Sequence, residues 1–430
     1  MAIRLDQRAY DFPARFATFL ATKREVSADV DDAVRAIVTD VRKRGDAALA
    51  DYSRRFDRMD FADTAMRVTE EEIAAARAIA DKDVVAALEL ARDRILSHHK
   101  RQKPADDRYI DAIGVELGSR WTAVEAVGLY VPGGTASYPS SVLMNAIPAL
   151  VAGVERIVMV VPAPEGRLNP LVLVAAQLCG IGEIYRIGGA QAVAALAYGT
   201  QTIAPVSKIV GPGNAFVAAA KRQVFGQVGI DMIAGPSEVL VVADGANDPD
   251  WIAADLLAQA EHDAAAQSIL VTDDSGFADA VVAAVERQLA TLPRGETAAA
   301  SWRDYGAIIL VDDFDAALPL VDRIAAEHLE LAFDGAEAYA GRVRNAGAIF
   351  IGRHTPEVIG DYVGGSNHVL PTARSARFSS GLSVLDFMKR TSILKLGPEQ
   401  LAALAPAAIA LARAEGLEAH GRSVAIRTNR

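Results

Sequence analysis

Cysteine is nearly missing from this sequence: Cys179 is the only one among 430 residues. A single thiol cannot form an internal disulfide, so the chain is not a disulfide-stabilised secreted domain. A zinc site made mainly of thiolates is excluded as well, because it needs several cysteines. We therefore expect a protein of the reducing cytoplasm. We also expect Cys179, in the apolar segment Ala-Gln-Leu-Cys-Gly-Ile, to be a buried structural thiol.

Long apolar runs and an excess of positive charge are also missing. The most apolar stretch, residues 146–161, contains Glu155 and Arg156, so we expect no membrane partner. The first residues, MAIRLD, are charged where a signal peptide would be apolar, so we expect no signal peptide. The formal net charge of −11 argues against nucleic acid as a general partner, because such proteins need a basic surface. An anionic cofactor would have to be bound locally, by backbone amides.

The hydrophobic periodicity changes near residue 115. Residues 28–56 have helical spacing, and Thr69-Glu-Glu-Glu72 is a capping box that predicts a helix through about His98. Short β-branched runs then alternate with helical segments, which is typical of parallel strands with crossover helices. The predicted strands are 126–131, 156–161, 183–187, 208–210, 238–243, 268–272, 307–311 and 348–351. We predict an α/β fold of two tandem incomplete Rossmann-like (doubly wound) domains, with small helical N- and C-terminal extensions.

Three glycine-rich turns each follow a predicted strand and precede a helix. They are Pro132-Gly-Gly-Thr135, Gly188-Gly-Ala-Gln191 and Gly211-Pro-Gly-Asn214. Glycine lets the backbone approach a phosphate, and the helix N-terminus supplies amide donors. None of the turns matches the G-x-G-x-x-G fingerprint, and each alone fits a structural turn equally well. Three at the carboxyl ends of strands favour a nucleotide crevice, with Gln191 and Asn214 as hydrogen-bonding candidates.

Two segments carry candidate catalytic or metal-binding side chains. Asp248-Pro249 predicts a helix start, and Gln259 and His262 further along share one helical face, which suggests a metal site. A lone helical histidine is, however, more often a surface or core residue. In Ala-Glu-His-Leu-Glu-Leu331, Glu327 and His328 could act as water activator and general base. The alternative is a charged helix end that includes Glu330.

The remaining histidines differ in what their surroundings predict. The glycine-rich segment 359–371 has too little periodicity for a helix and carries Asp361 and His368, which fits a functional loop or a plain surface loop. Glu415 and His420 lie in the helical tail, where a solvated face is the simpler interpretation. Solvent exposure is expected for the pair at 98–99, which ends a polar helix, and no role is evident for the histidine at 354.

In their order and spacing, these segments resemble the histidinol dehydrogenase family over essentially the whole chain. The motifs that carry the resemblance are the glycine-rich turns, Gly-Pro-Ser-Glu238, Gln-Ala-Glu-His262, Glu-His-Leu-Glu330, Asp-Tyr-Val-Gly-Gly-Ser-Asn-His368 and Glu-Gly-Leu-Glu-Ala-His420. The resemblance implies a four-electron, NAD-dependent oxidation of L-histidinol to L-histidine through histidinaldehyde. His328 would be the base of both steps, and Glu327 would activate the water of the second.

The resemblance also implies binding sites for three ligands. One zinc ion would be held by Gln259, His262, Asp361 and His420, a set of nitrogen and oxygen donors that suits zinc. The substrate would contact these four ligands together with Ser237, His328, His368 and Glu415. NAD would be bound by Tyr130, Gln191 and Asn214.

The resemblance further implies an intertwined homodimer in which the C-terminal tail crosses to the partner. We divide the chain into an N-terminal helical extension (1–25), a catalytic and zinc-binding domain (26–129 and 237–381), an NAD-binding domain (130–236) and an exchanged helical tail (382–430).

Other functions remain compatible with parts of the pattern. A paralogue acting on another small polar alcohol, such as sulfopropanediol, would keep the zinc and NAD elements but change the pocket. A non-catalytic regulator that binds zinc or a nucleotide would not explain the adjacent Glu327 and His328. A zinc hydrolase would not explain the three glycine-rich turns. A cysteine thiohemiacetal route would need Cys179, which has no neighbouring base.

Overall fold

The computed structural model describes residues 2–22, 28–133, 138–233 and 235–429. The strands are β1 Ile3–Asp6, β2 Asp107–Ile110, β3 Glu116–Ala123, β4 Ala126–Tyr130, β5 Arg156–Val160, β6 Glu183–Tyr185, β7 Lys208–Val210, β8 Gly229–Ile230, β9 Glu238–Ala243, β10 Gln267–Thr272, β11 Ala307–Leu310, β12 His328–Ala332, β13 Ala348–Ile351 and β14 Met388–Lys395. The helices are α1 Phe12–Ala21, α2 Ala28–Arg44, α3 Asp46–Phe56, α4 Glu70–Ile79, α5 Lys82–Lys100, α6 Pro139–Ala152, α7 Pro170–Leu178, α8 Gly189–Tyr198, α9 Ala215–Val224, α10 Pro249–Ala260, α11 Ser275–Leu289, α12 Gly295–Tyr305, α13 Phe314–Ile324, α14 Ala336–Ala340, α15 Glu357–Tyr362, α16 Pro398–Ala414 and α17 Glu418–Ala425.

The predicted α/β fold is confirmed, and its two parallel sheets are wound alike. The five-stranded sheet has the order β6-β5-β4-β7-β8, and the six-stranded sheet has the order β1-β11-β10-β9-β12-β13. If the strands are numbered along the chain from β4 in the five-stranded sheet and from β9 in the six-stranded sheet, both orders read 3-2-1-4-5. In the six-stranded sheet, β1 is an additional edge strand beside β11. This is a doubly wound order, which places crossover helices on both faces. All six residues of β9 are buried, as a parallel strand covered on both faces requires.

Helices α2 to α5 pack against the helices of the five-stranded sheet. Side chains of α2 and α3, such as Val41 and Leu49, share a core with α8 and α9. Those of α4 and α5, such as Ile73 and Ile95, share a core with α6 and α7. The grouping of residues 26–129 with 237–381 stays a prediction; the apolar faces of these four helices are covered by the layer of the five-stranded sheet.

Helix boundaries in this region differ from the prediction at two places. The segment 28–56 is broken at Gly45, whose positive φ of 59° ends one helix before the next begins. The Thr69 capping box is confirmed, but its helix ends at Ile79, and Asp81 caps a second helix with its carboxylate. The expectation of a solvated His99 is wrong: its ring is fully buried, and its Nδ1 lies 2.8 Å from the carbonyl oxygen of Ile95.

Both terminal extensions contain a strand as well as helices. Near the N-terminus, β1 pairs with β11 at the sheet edge, and four residues are too short to show a strand period. Near the C-terminus, β14 pairs antiparallel with β3, which also pairs with β2. This three-stranded sheet is largely exposed, so its residues lack the alternation of apolar and polar side chains that predicts a strand. Across the described ranges, no helix is long and apolar enough to cross a membrane.

The segment around His328 differs most from its prediction. Helix α13 ends at Ile324, Ala325 takes a left-handed conformation with φ of 50°, and β12 starts at His328. All five residues of β12 are buried, so the charged helix end considered for Glu330 is wrong. Asp361, expected in a loop, lies on the short helix α15.

Candidate active site

The polar side chains predicted from distant segments meet at the amino edge of the six-stranded sheet. His328 pairs in register with Val239, so Glu327 and Ser237 lie at the same edge, just before neighbouring strands. Helix α10 begins at the predicted Asp248 cap, follows β9 and runs back along the sheet, so its last turn returns to this edge. That turn carries Gln259, and the chain continues directly to His262.

The imidazole of His328 is the centre of the cluster. Its Nδ1 lies 3.2 Å from Oε1 of Gln259 and 3.3 Å from Oε2 of Glu357, and its Nε2 lies 3.6 Å from Oδ1 of Asp361. Burial alone would lower the pKa of His328, but the carboxyls of Glu357, Glu327 and Asp361 outweigh it and raise that pKa to about 10. A divalent cation bound at Asp361 would compensate these carboxyl charges and lower the pKa of His328 again.

Glu327 faces the start of β9. Its Oε2 accepts a hydrogen bond of 3.2 Å from the backbone N–H of Glu238, and its carboxyl also bonds the Ser237 side chain. Burial raises the pKa of Glu327 to about 7, although the charge of His328 opposes this. A carboxyl with a pKa near neutrality can take a proton from water at physiological pH.

His368 joins this cluster to the helix that follows β4 of the other sheet. Its Nδ1 lies 3.0 Å from the backbone oxygen of Asp361, and its Nε2 lies 3.2 Å from Oγ of Ser141 on α6. Burial lowers the pKa of His368, and that of His262 is lowered for the same reason. With a carbonyl oxygen beside it, Nδ1 of His368 must carry the proton, so Nε2 accepts from the Ser141 hydroxyl.

The donors of the cluster fit a zinc ion and its ligand. Gln259, His262 and Asp361 offer the amide oxygen, imidazole nitrogen and carboxylate oxygen that Zn²⁺ binds. Nε2 of Gln259, Nε2 of His328 and Oε2 of Glu357 are buried without a hydrogen-bond partner. Each such atom costs about 1–3 kcal/mol, so three of them around one imidazole mark a place for a bound group. In the described part of the chain, no three His, Cys, Asp or Glu side chains are grouped closely enough to hold a metal.

The two predicted residues of the tail lie apart from this cluster. Glu415 ends α16, and His420 lies on α17. Both side chains are exposed, and neither makes a hydrogen bond or ion pair with another residue of the described ranges. Of the predicted metal and substrate residues, this chain therefore brings together those from 237 to 368 and leaves these two outside.

The predicted NAD residues lie at the carboxyl edge of the five-stranded sheet. Tyr130 is buried, its hydroxyl oxygen accepts a hydrogen bond of 2.9 Å from the Gly189 N–H, and burial raises its pKa to about 12. Gln191 is buried on α8. Oδ1 of Asn214 caps α9 by accepting from two backbone N–H groups. Of the first glycine-rich turn, residues 134–137 lie outside the described residues.

The backbone conformation and close packing at position 211 require a glycine. It has a φ of 114°, and a Cβ there would lie 2.1 Å from the backbone oxygen of Tyr130. Its N–H donates to Oδ2 of Asp231 at 2.8 Å, and its carbonyl accepts from Nζ of Lys221 at 3.0 Å. Because Lys221 and Asp231 also form a buried ion pair, this turn is held on both sides of the glycine.

Relatives of known type match the whole chain. A family profile described as histidinol dehydrogenase covers residues 20–428. A histidinol dehydrogenase of Mesorhizobium japonicum is 75% identical over 429 residues, and one of Brucella suis is 74% identical over 429 residues, each alignment covering 100% of both chains. The chain belongs to the histidinol dehydrogenase family. A crystal structure of histidinol dehydrogenase from Elizabethkingia anophelis superposes with a TM-score of 0.95 at 35% identity, covering 100% of this chain and 98% of that one.

Three carboxyl residues near His328 were missed by the sequence argument for this member of the histidinol dehydrogenase family. They are Asp255 on α10, Glu330 on β12 and Glu357 on α15. Burial raises the pKa of Asp255 to about 6 and that of Glu357 to about 8, and it raises the pKa of Glu330 as well. The one available signal was the spacing of Glu357 and Asp361, four residues apart and therefore on one face of a helix.

Proposed function

We propose that this chain oxidises L-histidinol to L-histidine in two hydride transfers to NAD⁺, through histidinaldehyde, as the final steps of histidine biosynthesis. The observation that carries the proposal is the contact of His328 with Gln259 and Asp361, beside the buried carboxyl of Glu327. A base, a water-activating carboxyl and metal-binding donors are what successive oxidation of an alcohol and an aldehyde hydrate requires.

His328 and Glu327 divide the proton transfers. In the first step His328 takes the hydroxyl proton of the alcohol while the carbon gives a hydride to NAD⁺, which leaves the aldehyde. As water then adds to the aldehyde, Glu327 takes a proton from the water and protonated His328 gives its proton to the aldehyde oxygen, which forms the hydrate and restores His328 as a base. In the second step His328 takes a hydroxyl proton of the hydrate while the carbon gives a hydride to a second NAD⁺, which leaves the carboxylic acid.

Zinc and substrate would share the donors around His328. Gln259, His262 and Asp361 would hold one Zn²⁺, completed by His420 of the partner subunit. The ion would orient the imidazole and amino group of histidinol. Ser237 and His368 would line the substrate site, together with the partner subunit's Glu415. The lowered pKa of His368 supports this, because a neutral imidazole can exchange hydrogen bonds with a neutral ligand.

NAD would bind where the glycine-rich turns follow their strands, within residues 130–236, with Tyr130, Gln191 and Asn214 as its contacts. Asn214 already caps α9 in this chain. Its amide nitrogen is therefore the group left for the cofactor. The catalytic residues come from 237–381.

A homodimer with an exchanged tail, residues 382–430, is part of the proposal. Leu411 and Ile426 on the tail are 64% and 61% exposed, so they offer apolar surface that a partner subunit could cover. Exchange would also bring the tail's His420 and Glu415 to a site that lacks them in its own chain. We place the enzyme in the cytoplasm, in line with its single buried cysteine.

Reaction stoichiometry tests the proposed function. Purified enzyme should form two NADH for each histidinol consumed, with histidine as product. A chelator should abolish NADH formation, and added zinc should restore it. Sulfopropanediol serves as the competing substrate: if it is oxidised and histidinol is not, the chain is a paralogue of different specificity, and the proposal is wrong.

A further inference from the structure

The short helix α15 directs two carboxyls at one imidazole. Glu357 and Asp361 are four residues apart, so their side chains project from the same face of the helix. Oε2 of Glu357 lies 3.3 Å from Nδ1 of His328, and Oδ1 of Asp361 lies 3.6 Å from Nε2. Each ring nitrogen therefore has its own carboxyl. The two carboxyls have different roles, because Asp361 is proposed as a metal ligand and Glu357 is not.

Glu357 is held in place by the strand that carries His328. Its backbone N–H donates a hydrogen bond of 2.6 Å to Oε1 of Glu330. Glu330 is two residues after His328 on β12, so both side chains leave the same face of the sheet. The Glu330 carboxyl is in turn hydrogen-bonded to that of Asp255 on α10. The position of α15 is thereby tied to the same strand as the imidazole that it contacts.

The burial of Glu357 is unusual for a side chain with no cation of its own. It is 1% exposed, and the described part of the chain places no Lys or Arg in a salt bridge with it. Burying a carboxyl that no cation pairs with is unfavourable, so an apolar residue at this position would stabilise the helix start more. His328 is the basic group within reach, and this points to a function of Glu357 that depends on the imidazole.

We propose that Glu357 is a positioning residue for the base His328. Oε2 of Glu357 has no hydrogen-bond partner among the residues that the structure describes. With Gln259 bound to the metal, this oxygen, 3.3 Å from Nδ1, would accept from Nδ1–H and fix the tautomer in which the lone pair of Nε2 faces the substrate. Gln259, which also lies near Nδ1, is assigned to the metal, so Glu357 is the group left to orient the ring. The logic is that of a carboxylate that orients a catalytic imidazole without touching the substrate. This inference rests on the proposed function.

Replacing the carboxylate by an amide tests this role. In Glu357→Gln the amide N–H₂ can turn toward Nδ1 and favour the opposite tautomer, which places the proton on Nε2 and removes the base. We expect kcat to fall about 100-fold or more in both the histidinol and the histidinaldehyde steps. The KM for histidinol, the zinc content per subunit and the calorimetric affinity for histidinol should stay within about twofold of the parent values. Glu357→Asp, which keeps the charge, should recover part of kcat.

Three outcomes would overturn the proposal. They are a kcat of Glu357→Gln within threefold of the parent, a loss of zinc that accounts for the whole loss of activity, and a Glu357→Asp variant no better than Glu357→Gln. Glu337→Gln, at an exposed glutamate on α14, is the matched control and should match the parent. If Glu357→Gln does not fold, the test uses Glu357→Asp alone. The proposal then requires that kcat of Glu357→Asp is lower than that of the parent while its KM and zinc content are unchanged. An inactive parent enzyme would instead contradict the proposed function.

Discussion

Oε1 of Gln259 lies 3.2 Å from Nδ1 of His328, although the two residues are 69 positions apart in the chain. One ends a helix and the other begins a strand, and the crossover from β9 through α10 brings both to the amino edge of one sheet. Doubly wound folds usually bind ligands at the carboxyl edge. Here the carboxyl edge of the five-stranded sheet carries the glycine-rich turns, and the amino edge of the other sheet carries the candidate metal and acid–base groups.

Glu327→Gln should separate the two oxidations. The amide oxygen can still accept from the Glu238 N–H, so the local fold should be kept, but the variant cannot take a proton from water. We expect the histidinaldehyde step to slow about 100-fold and the histidinol step to change by only a few fold. Stopped-flow measurement of NADH formation from each substrate checks this. Equal losses in both steps would remove Glu327 from its role as water activator.

The thiol of Cys179 should be unreactive in the folded protein. It is buried in the core around α7, and burial raises the pKa of its thiol to about 12. At pH 8 only about one thiol in 10⁴ would be ionised, so alkylation of the folded enzyme should be very slow. Iodoacetamide labelling followed by mass spectrometry measures this, with unfolded protein as the positive control. The Cys179→Ala variant should keep both oxidations; loss of the aldehyde step alone would point to a thiohemiacetal route.

Gly211→Ala should weaken NAD binding and lower stability. The new Cβ would lie 2.1 Å from the backbone oxygen of Tyr130, so the turn or the strand must shift. Gly180→Ala is the matched control: it has a φ of 69° but nothing within 4 Å of its Cβ. Both variants should lose about 1 kcal/mol from the positive φ. Only Gly211→Ala should lose more and raise the KM for NAD⁺. Equal changes in stability and in the KM for NAD⁺ for the two variants would show that the close approach of residue 211 to Tyr130 affects neither property.

Mixed dimers should reveal which subunit supplies His420. We expect His262→Ala and His420→Ala to be inactive separately. If the tail crosses, a mixed dimer has one site with both defects and one intact site. Random mixing of equal amounts should therefore restore about a quarter of the parent activity. If His420 acts within its own chain, every site in the mixed dimer keeps one defect, and no activity should return.

The strands could be predicted where burial is uniform. The β-branched runs at 208–210, 238–243 and 348–351 match β7, β9 and β13 residue for residue. By contrast, strand β12 begins with His-Leu-Glu and was not predicted. Its polar side chains match the pattern expected at the charged end of a helix, although the strand is buried. Its polar residues are buried because they form the cluster around His328. The strongest functional segment was thus the hardest to assign from local pattern.

The candidate site could be predicted only in part. Glu327 and His328 stood out as a pair, and Gln259 with His262 suggested a metal site, because close spacing in sequence brings their side chains together. Glu330 carries no such signal, and Glu357 has only its four-residue spacing from Asp361, since the importance of both comes from burial and from contacts across elements. The solvated helical face expected for Glu415 and His420 is found in this chain, but spacing alone could not indicate which subunit supplies His420.

The most direct test is a crystal structure of the enzyme grown with zinc and histidinol, with anomalous diffraction measured at the zinc edge. We expect one peak per subunit, about 2.0–2.2 Å from donor atoms of Gln259, His262, Asp361 and His420 of the partner subunit. The His262→Ala variant should lose the peak, whereas His354→Ala, at an exposed ring against Trp251, should keep it. A parent structure with those four side chains apart and no zinc between them would contradict the account.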